Sequence, residues 1–238
     1  MSFFSRLLHH TILVIPFECA TCKKWPSTAF EGVTGVCQSC IQMHAHAPLF
    51  PVPKGLDDCA AAVDFDAPWS ALISRYKFAP EPGLGRLFAG LMRRESHILE
   101  LLEDADIVIP LPLATERLEE RGFNQALTLA KHLVKHKIDA FSLIRIRDTA
   151  PQRTLTYDAR QGNVANAFAL QAIPHKAFAS THTERHTSFE DQHIVLIDDV
   201  MTTGATLAAA AAPLYRAGAA RVSAVVIART PLNHNQPR

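Results

Sequence analysis

Three apolar runs in the second half of the chain set the tightest limit on what it can fold into. "DIVIPLPL" from Asp106, "HIVLIDDV" from His193 and "RVSAVVIAR" from Arg221 are short, almost continuously apolar, and rich in valine and isoleucine. That is the signature of strands buried on both faces. Between them, "FNQALTLAKHLVKH" places Phe123, Leu127, Ala130 and Val134 on one helical face, and the alanine-rich run from Ala205 to Ala217 predicts a helix ended by Gly218. Pro213 inside that run is expected to kink or interrupt it. Strands that alternate with helices imply a parallel sheet, so the expected class is α/β. Upstream, Pro68 to Phe78 and Leu84 to Leu102 carry helical spacing on either side of the breaker "APEPG", which predicts two further helices.

Four of the five cysteines fall in two pairs, Cys19 with Cys22 and Cys37 with Cys40, two residues apart within each pair and 14 residues between pairs. Two such knuckles can bring four thiolates to the corners of a tetrahedron, the geometry of closed structural Zn2+ sites. Gly32 and Gly35 suit the turns. A pair of disulfides is the competing pattern, disfavoured in a reducing cytosol, and a segment of about 45 residues needs some staple to stay folded. With four thiolates available, His44 and His46 are read as surface residues and Cys59 as a small buried apolar group.

The three prolines of "APLFPVPKG" read as an extended connector, and they place a boundary near residue 55: residues 1–55 as ribbon and linker, 56–238 as the main domain. Twenty-four basic and 23 acidic residues nearly cancel, which excludes a global field that would draw the protein to nucleic acid or anionic lipid. "TILVIPF" is too short to span a bilayer and no cleavage site follows it, so the expectation is a cytoplasmic protein without stable membrane insertion. "FFSRLLHHTILVIPF" also allows a peripheral position on the inner face of the cytoplasmic membrane.

"VLIDDVMTTGAT", Val195 to Thr206, carries the chemistry. In an open parallel sheet ligands bind beyond the carboxyl ends of the strands, where Asp198 and Asp199 would fall. Ionised carboxylates only accept hydrogen bonds, and two neighbouring acceptors suit a vicinal diol such as that of a ribose. The following residues, with the hydroxyls of Thr202, Thr203 and Thr206, the conformational freedom of Gly204 and the amides of a helix start, suit a phosphate. Acceptors for a diol beside a cradle for an anion describe a pentose 5-phosphate.

The same twelve residues resemble the phosphoribosyl-pyrophosphate signature of type I phosphoribosyltransferases. With "RYKF", "IPLPLATERLEERGFNQALTLAKHL", "ARQGNVANAF" and the cysteine knuckles, nearly the whole chain resembles the ComF family, the ComFC and GntX-like proteins. The resemblance implies a Rossmann-like phosphoribosyltransferase sheet behind an N-terminal four-cysteine zinc ribbon, with phosphoribosyl pyrophosphate or ribose 5-phosphate and Mg2+ as ligands. It implies that Asp198 and Asp199 hold the ribose diol, that Val200, Met201, Thr202, Thr203, Gly204, Ala205 and Thr206 form the phosphate cradle, with Met201 filling core, and that the loop after "DIVIPL" faces pyrophosphate. Arg117 and Arg121, four residues apart, could converge on that polyanion; by spacing alone they equally read as a solvated face paired with Glu116, Glu119 and Glu120. Lys77 and Arg75 in "RYKF" are further candidates, or dipole partners at a helix end. Arg153 and Arg160, with Arg147, suit a mobile loop.

Two functions follow from the resemblance. One is transfer of a phosphoribosyl group to a nitrogen acceptor in the setting of DNA uptake, competence or DNA utilisation. The other is a sugar-phosphate sensor or single-stranded-DNA-binding competence factor that works with competence proteins. Enzymes of the superfamily acting on 6-oxopurines usually carry an aspartate where Thr202 stands, which disfavours hypoxanthine and guanine as acceptors.

Overall fold

The computed structural model describes residues 16–30, 32–78, 81–146, 167–171 and 189–231. Most of the N-terminal apolar run, "ARQGNVANAF" up to Asn166, and the candidate loop residues Arg147, Arg153 and Arg160 lie outside the described residues.

Among the described residues, four parallel strands form the sheet, in the order β1 (Asp58–Asp64), β6 (Arg221–Arg229), β5 (His193–Met201), β2 (Ile107–Pro110). The three predicted runs are β2, β5 and β6. β1 is the strand that sequence reasoning missed. "DCAAAVD" has little β propensity, yet residues 59–63 are all buried and the strand pairs along β6 from Asp58 to Asp64. Packing overrides propensity there. A bridge from Val108 to Ile138 extends the β2 edge, and β3 (Leu143–Arg145) with β4 (Phe168–Leu170) makes a small antiparallel pair that the sequence pattern also did not show.

One face of the sheet is covered by α2 (Trp69–Phe78), α3 (Pro82–Arg93), α4 (Ser96–Asp104) and α6 (Gln125–Leu133). The single helix expected over Leu84–Leu102 is therefore two, broken at Arg94 and Glu95, where the Arg94 amide closes the last turn of α3 on Leu91 and Met92. Phe123 lies outside α6, because Asn124 caps that helix through its side-chain oxygen on the Leu127 amide (3.2 Å). Its ring still packs on the core and meets Tyr76 edge-on. The other face is covered by the helix Ala205–Arg216, here α7, and by the β3–β4 pair. That helix runs through Pro213 without interruption, so the expected break does not occur; the proline ring is buried among the residues of the apolar face.

The N-terminal region adds the short helix α1 (Gln38–His44) and packs against α3. Gly32 and Gly35 both take positive φ, 79° and 93°, as their turns require. A Cβ on Gly90 of α3 would sit 3.2 Å from the Gly32 carbonyl oxygen, and one on Gly35 would sit 3.1 Å from Leu87. Trp69 donates its indole N–H to the His44 carbonyl (2.7 Å), and Val33, Val36 and Ile41 belong to the same buried cluster as Trp69 and Leu87. The expected connector has no regular structure, but it lies against α7 rather than standing free: Gly55 faces Ala208.

Candidate functional site

β5 is the structural origin of the site. Both of its faces are covered for five residues, and the strand does not stop at Ile197; it continues through Asp198 and Asp199 to Met201. Successive residues of a strand leave on opposite faces. Asp199 therefore enters the helical layer, where it is 4% exposed, receives the Lys77 ammonium at 3.0 Å and accepts a hydrogen bond from Gln125 Nε2 at 2.8 Å. Asp198 leaves on the other side, half-buried, with one oxygen accepting the Asp199 amide at 2.8 Å. Side-by-side presentation of two carboxylates is thus not the arrangement of the site as it stands. Asp198 is half-buried, and Asp199 is compensated from within.

Burial, and after it the neighbouring Asp199 carboxylate, push the Asp198 carboxyl up to about 7, against the pull of the Asp199 amide, Lys77 and Arg145. Two acids a residue apart repel each other in low dielectric, and the Lys77 ammonium offsets part of that charge from its place beside Asp199. Gln125 stands at the start of α6, and its backbone carbonyl oxygen accepts the Tyr76 hydroxyl (2.9 Å), which ties α2 to α6 behind the acid. Gln125 is the site residue the sequence did not reveal. An apolar-face helix start gives no sign that one buried amide reaches across to β5.

Beyond Met201, which is buried, Thr202 and Thr203 are half-buried and Gly204 turns the chain at φ 81° into α7. Thr203 Oγ1 accepts the Ala205 amide at 3.3 Å. The first-turn amides of a helix lack partners one turn back, so this end carries partial positive charge. Gly204 was expected to be glycine so that a ligand could come close. The space where its Cβ would stand is instead taken by Pro53.

The loop after β2 leads into α5 (Thr115–Arg121), and Asn124 donates to the Leu111 carbonyl (3.0 Å), which fixes the loop's return. Arg117 is half-buried and Arg121 lies over the Phe78 ring at 5.3 Å, with its Nε buried and without a hydrogen-bond partner. No salt bridge joins either arginine to Glu116, Glu119 or Glu120 among the described residues. Arg75 is engaged elsewhere, in a two-pronged pair with Glu81 (2.9 and 2.7 Å).

Some distance along the chain, the sulfurs of Cys19, Cys22, Cys37 and Cys40 lie within 4.8 Å of one another. Cys19 to Cys40 is 3.9 Å and Cys22 to Cys37 is 3.6 Å, far beyond a disulfide and close to the ~3.8 Å separation that a tetrahedral ion with Zn–S bonds of about 2.3 Å requires. Burial disfavours the Cys19 thiolate, but the amides of Cys22, Cys37 and Thr21 outweigh it and bring its pKa to about 6. Burial and the three neighbouring sulfurs push Cys40 the other way. The donor set fits one structural metal ion. Cys59 stands apart, buried against Met201, its thiol raised to about 12 mainly by burial and therefore inert.

A parallel sheet whose central strand ends in an acid pair, followed by a threonine-glycine turn into a helix, defines a phosphoribosyltransferase-type α/β protein. Residues 125–237 match the phosphoribosyl transferase domain. Among full-length relatives, the DNA utilization protein YhgH of Salmonella typhi is 28% identical over 244 residues, covering 92% of this chain and 100% of the relative. Competence protein F of Haemophilus influenzae is 33% identical over 59% of this chain and 58% of its own length. Competence protein ComFC of Bacillus subtilis is 34% identical over 52% of this chain and 45% of its own. The chain is a ComF-family protein with a phosphoribosyltransferase domain, related to competence and DNA-utilisation proteins. Among the described residues, no helix is long and apolar enough to cross a membrane.

Proposed function

We propose that the protein binds phosphoribosyl pyrophosphate with Mg2+ at the carboxyl end of β5 and transfers the phosphoribosyl group to a nitrogen acceptor. The observation that supports this most is one continuous stretch: a half-open Asp198 carboxylate at the sheet's rim, then the Thr202–Thr206 turn, then the start of a 12-residue helix. In this reading Asp198 accepts the ribose hydroxyls, and Asp199, steadied by Lys77 and Gln125, sets a negative potential behind the sugar ring. Thr202 to Thr206 hold the 5-phosphate, and Arg117 and Arg121 meet pyrophosphate. The bond from the anomeric carbon to pyrophosphate breaks as nitrogen attacks, and positive charge grows on the ribose between fixed carboxylates. Mg2+, a hard ion suited to the Asp198 oxygens, would supply charge neutralisation to the leaving group. The four N-terminal thiols hold structural Zn2+, and the location is cytoplasmic.

Calorimetry tests the binding step. Phosphoribosyl pyrophosphate with Mg2+ should bind the wild type, and Asp198→Asn combined with Asp199→Asn should remove that binding without changing the zinc content; equal affinity in the double variant refutes the site. Pyrophosphate release only when one base or amine is added identifies the acceptor and establishes turnover.

A second reading has its own support. Lys23, Lys24 and Trp25 are exposed on the first cysteine knuckle, Trp25 by 63%. A flat ring beside two cations is the means by which proteins hold single-stranded nucleic acid without reading its sequence. In that reading the pocket senses a sugar phosphate while the ribbon contacts DNA or a competence protein. Binding of single strands that weakens steeply with salt, and is lost on Lys23→Glu with Lys24→Glu, supports it.

A further inference from the structure

The segment between the ribbon and β1 is tied to the start of β6 by the Asp57 amide on the Val222 carbonyl (2.9 Å), while its earlier residues reach the rim of the sheet by packing. From residue 46 to 52 no backbone hydrogen bond is made among the described residues. Among its contacts, three reach the rim: the Arg229 guanidinium lies 4.6 Å over the Phe50 ring, Pro53 abuts Gly204, and Gly55 abuts Ala208. All three partners belong to the end of β6 or to the turn and first helical residues that follow β5. The strap therefore crosses directly over the turn that the proposed function assigns to phosphate.

The contact at Gly204 is the tightest of these. A Cβ there would fall 2.4 Å from Pro53 Cβ and 2.5 Å from its Cγ, closer than real Cβ atoms come to a neighbour, and the partner is a rigid ring rather than the end of a flexible chain. Gly204 stands at φ 81° at the cap position of α7, where capping residues usually adopt extended backbone. Glycine visits positive and negative φ about equally, so its sequence does not by itself hold it there. The pyrrolidine ring of Pro53 is packed on its bare face.

We propose that Pro53 is a positioning residue for the Thr202–Thr206 anion loop: its ring wedges against Gly204 and fixes the left-handed turn that orients the loop's amides and hydroxyls. This rests on the reading that the loop takes a sugar phosphate. Its physical content is preorganisation, since a loop already held in its bound form pays less ordering cost when the anion arrives. It also makes the ribbon's connector a wall of the site.

Ribose 5-phosphate titrated into the full-length protein, followed by calorimetry alongside thermal unfolding, tests the proposal. Pro53→Gly should weaken ribose 5-phosphate about tenfold, the effect of one released loop. Gly204→Ala should be far less costly to stability in the Pro53→Gly background than in the wild type, because the clash is gone. Pro53→Ala, which keeps Cβ and loses Cγ, should fall between and serves if the glycine variant does not fold. Unchanged affinity in the Pro53 variants while the wild type binds overturns the proposal and leaves the phosphate reading standing. Absence of ribose 5-phosphate binding in the wild type overturns both. Equal cost of Gly204→Ala in the two backgrounds shows that no wedge exists.

Discussion

Replacing Asp198 by asparagine should stabilise the protein at pH 8 while removing its ligand. The carboxyl is raised from the ordinary 3.8 to about 7, by burial first and by Asp199 second. Each pKa unit corresponds to about 1.4 kcal/mol, so the folded state carries a penalty on the order of 4 kcal/mol for ionising this group. Asp198 is partly open to water, and solvent screening brings the expected gain nearer to about 2 kcal/mol. The sign follows from proton counts. Between about pH 4 and pH 7 the folded protein retains a proton that the unfolded chain has released, so stability falls as pH rises through that window and levels off above it. Asparagine cannot ionise and escapes the fall. Urea unfolding at pH 4 and at pH 8 measures it: the variant should match or trail the wild type at pH 4 and exceed it at pH 8. A difference between the two proteins that is the same at both pH values would refute the reasoning, because the gain is assigned wholly to ionisation.

Lys77→Met leaves Asp199 buried beside Asp198 with only Gln125 to compensate it, and should cost about 3 kcal/mol in urea unfolding at pH 8, partly restored by adding Asp199→Asn. Metal analysis of the purified protein should find one zinc per chain, and Cys37→Ser or prolonged chelation should remove it and lower the melting temperature by exposing Val33, Val36 and Ile41. Gly90→Val would drive a branched side chain into the Gly32 carbonyl and Val33, 3.2 Å away from even a bare Cβ, and should cost about 1–3 kcal/mol by thermal unfolding.

What could be read from the sequence was what repeats or is spaced. β2, β5 and β6 were visible because valine and isoleucine run without interruption, and the four cysteines because metal geometry demands pairs. β1 was hidden because three alanines carry no strand signal; only the neighbour β6 makes them a strand. The acid pair was found, but its split between two faces was not, since that depends on β5 running on past Ile197. Lys77 was singled out as a candidate for ligand binding, and the structure gives it an internal partner no spacing rule predicts, across 122 positions of chain from Lys77 to Asp199. Gln125 and Pro53 reach the site through one side chain each, and isolated long-range contacts leave no pattern.

The interlocking of Gly32, Gly35 and Gly90 bears on how the protein is made. The ribbon leaves the ribosome before the helices that cover it: the surface over Val33, Val36 and Ile41 belongs to α2 and α3, which lie further along the chain. Until then the newborn knuckles have no apolar shelter, and the four thiols are the groups that could hold their shape around an ion. A metal ion taken up during translation would give the later helices a ready surface to close upon.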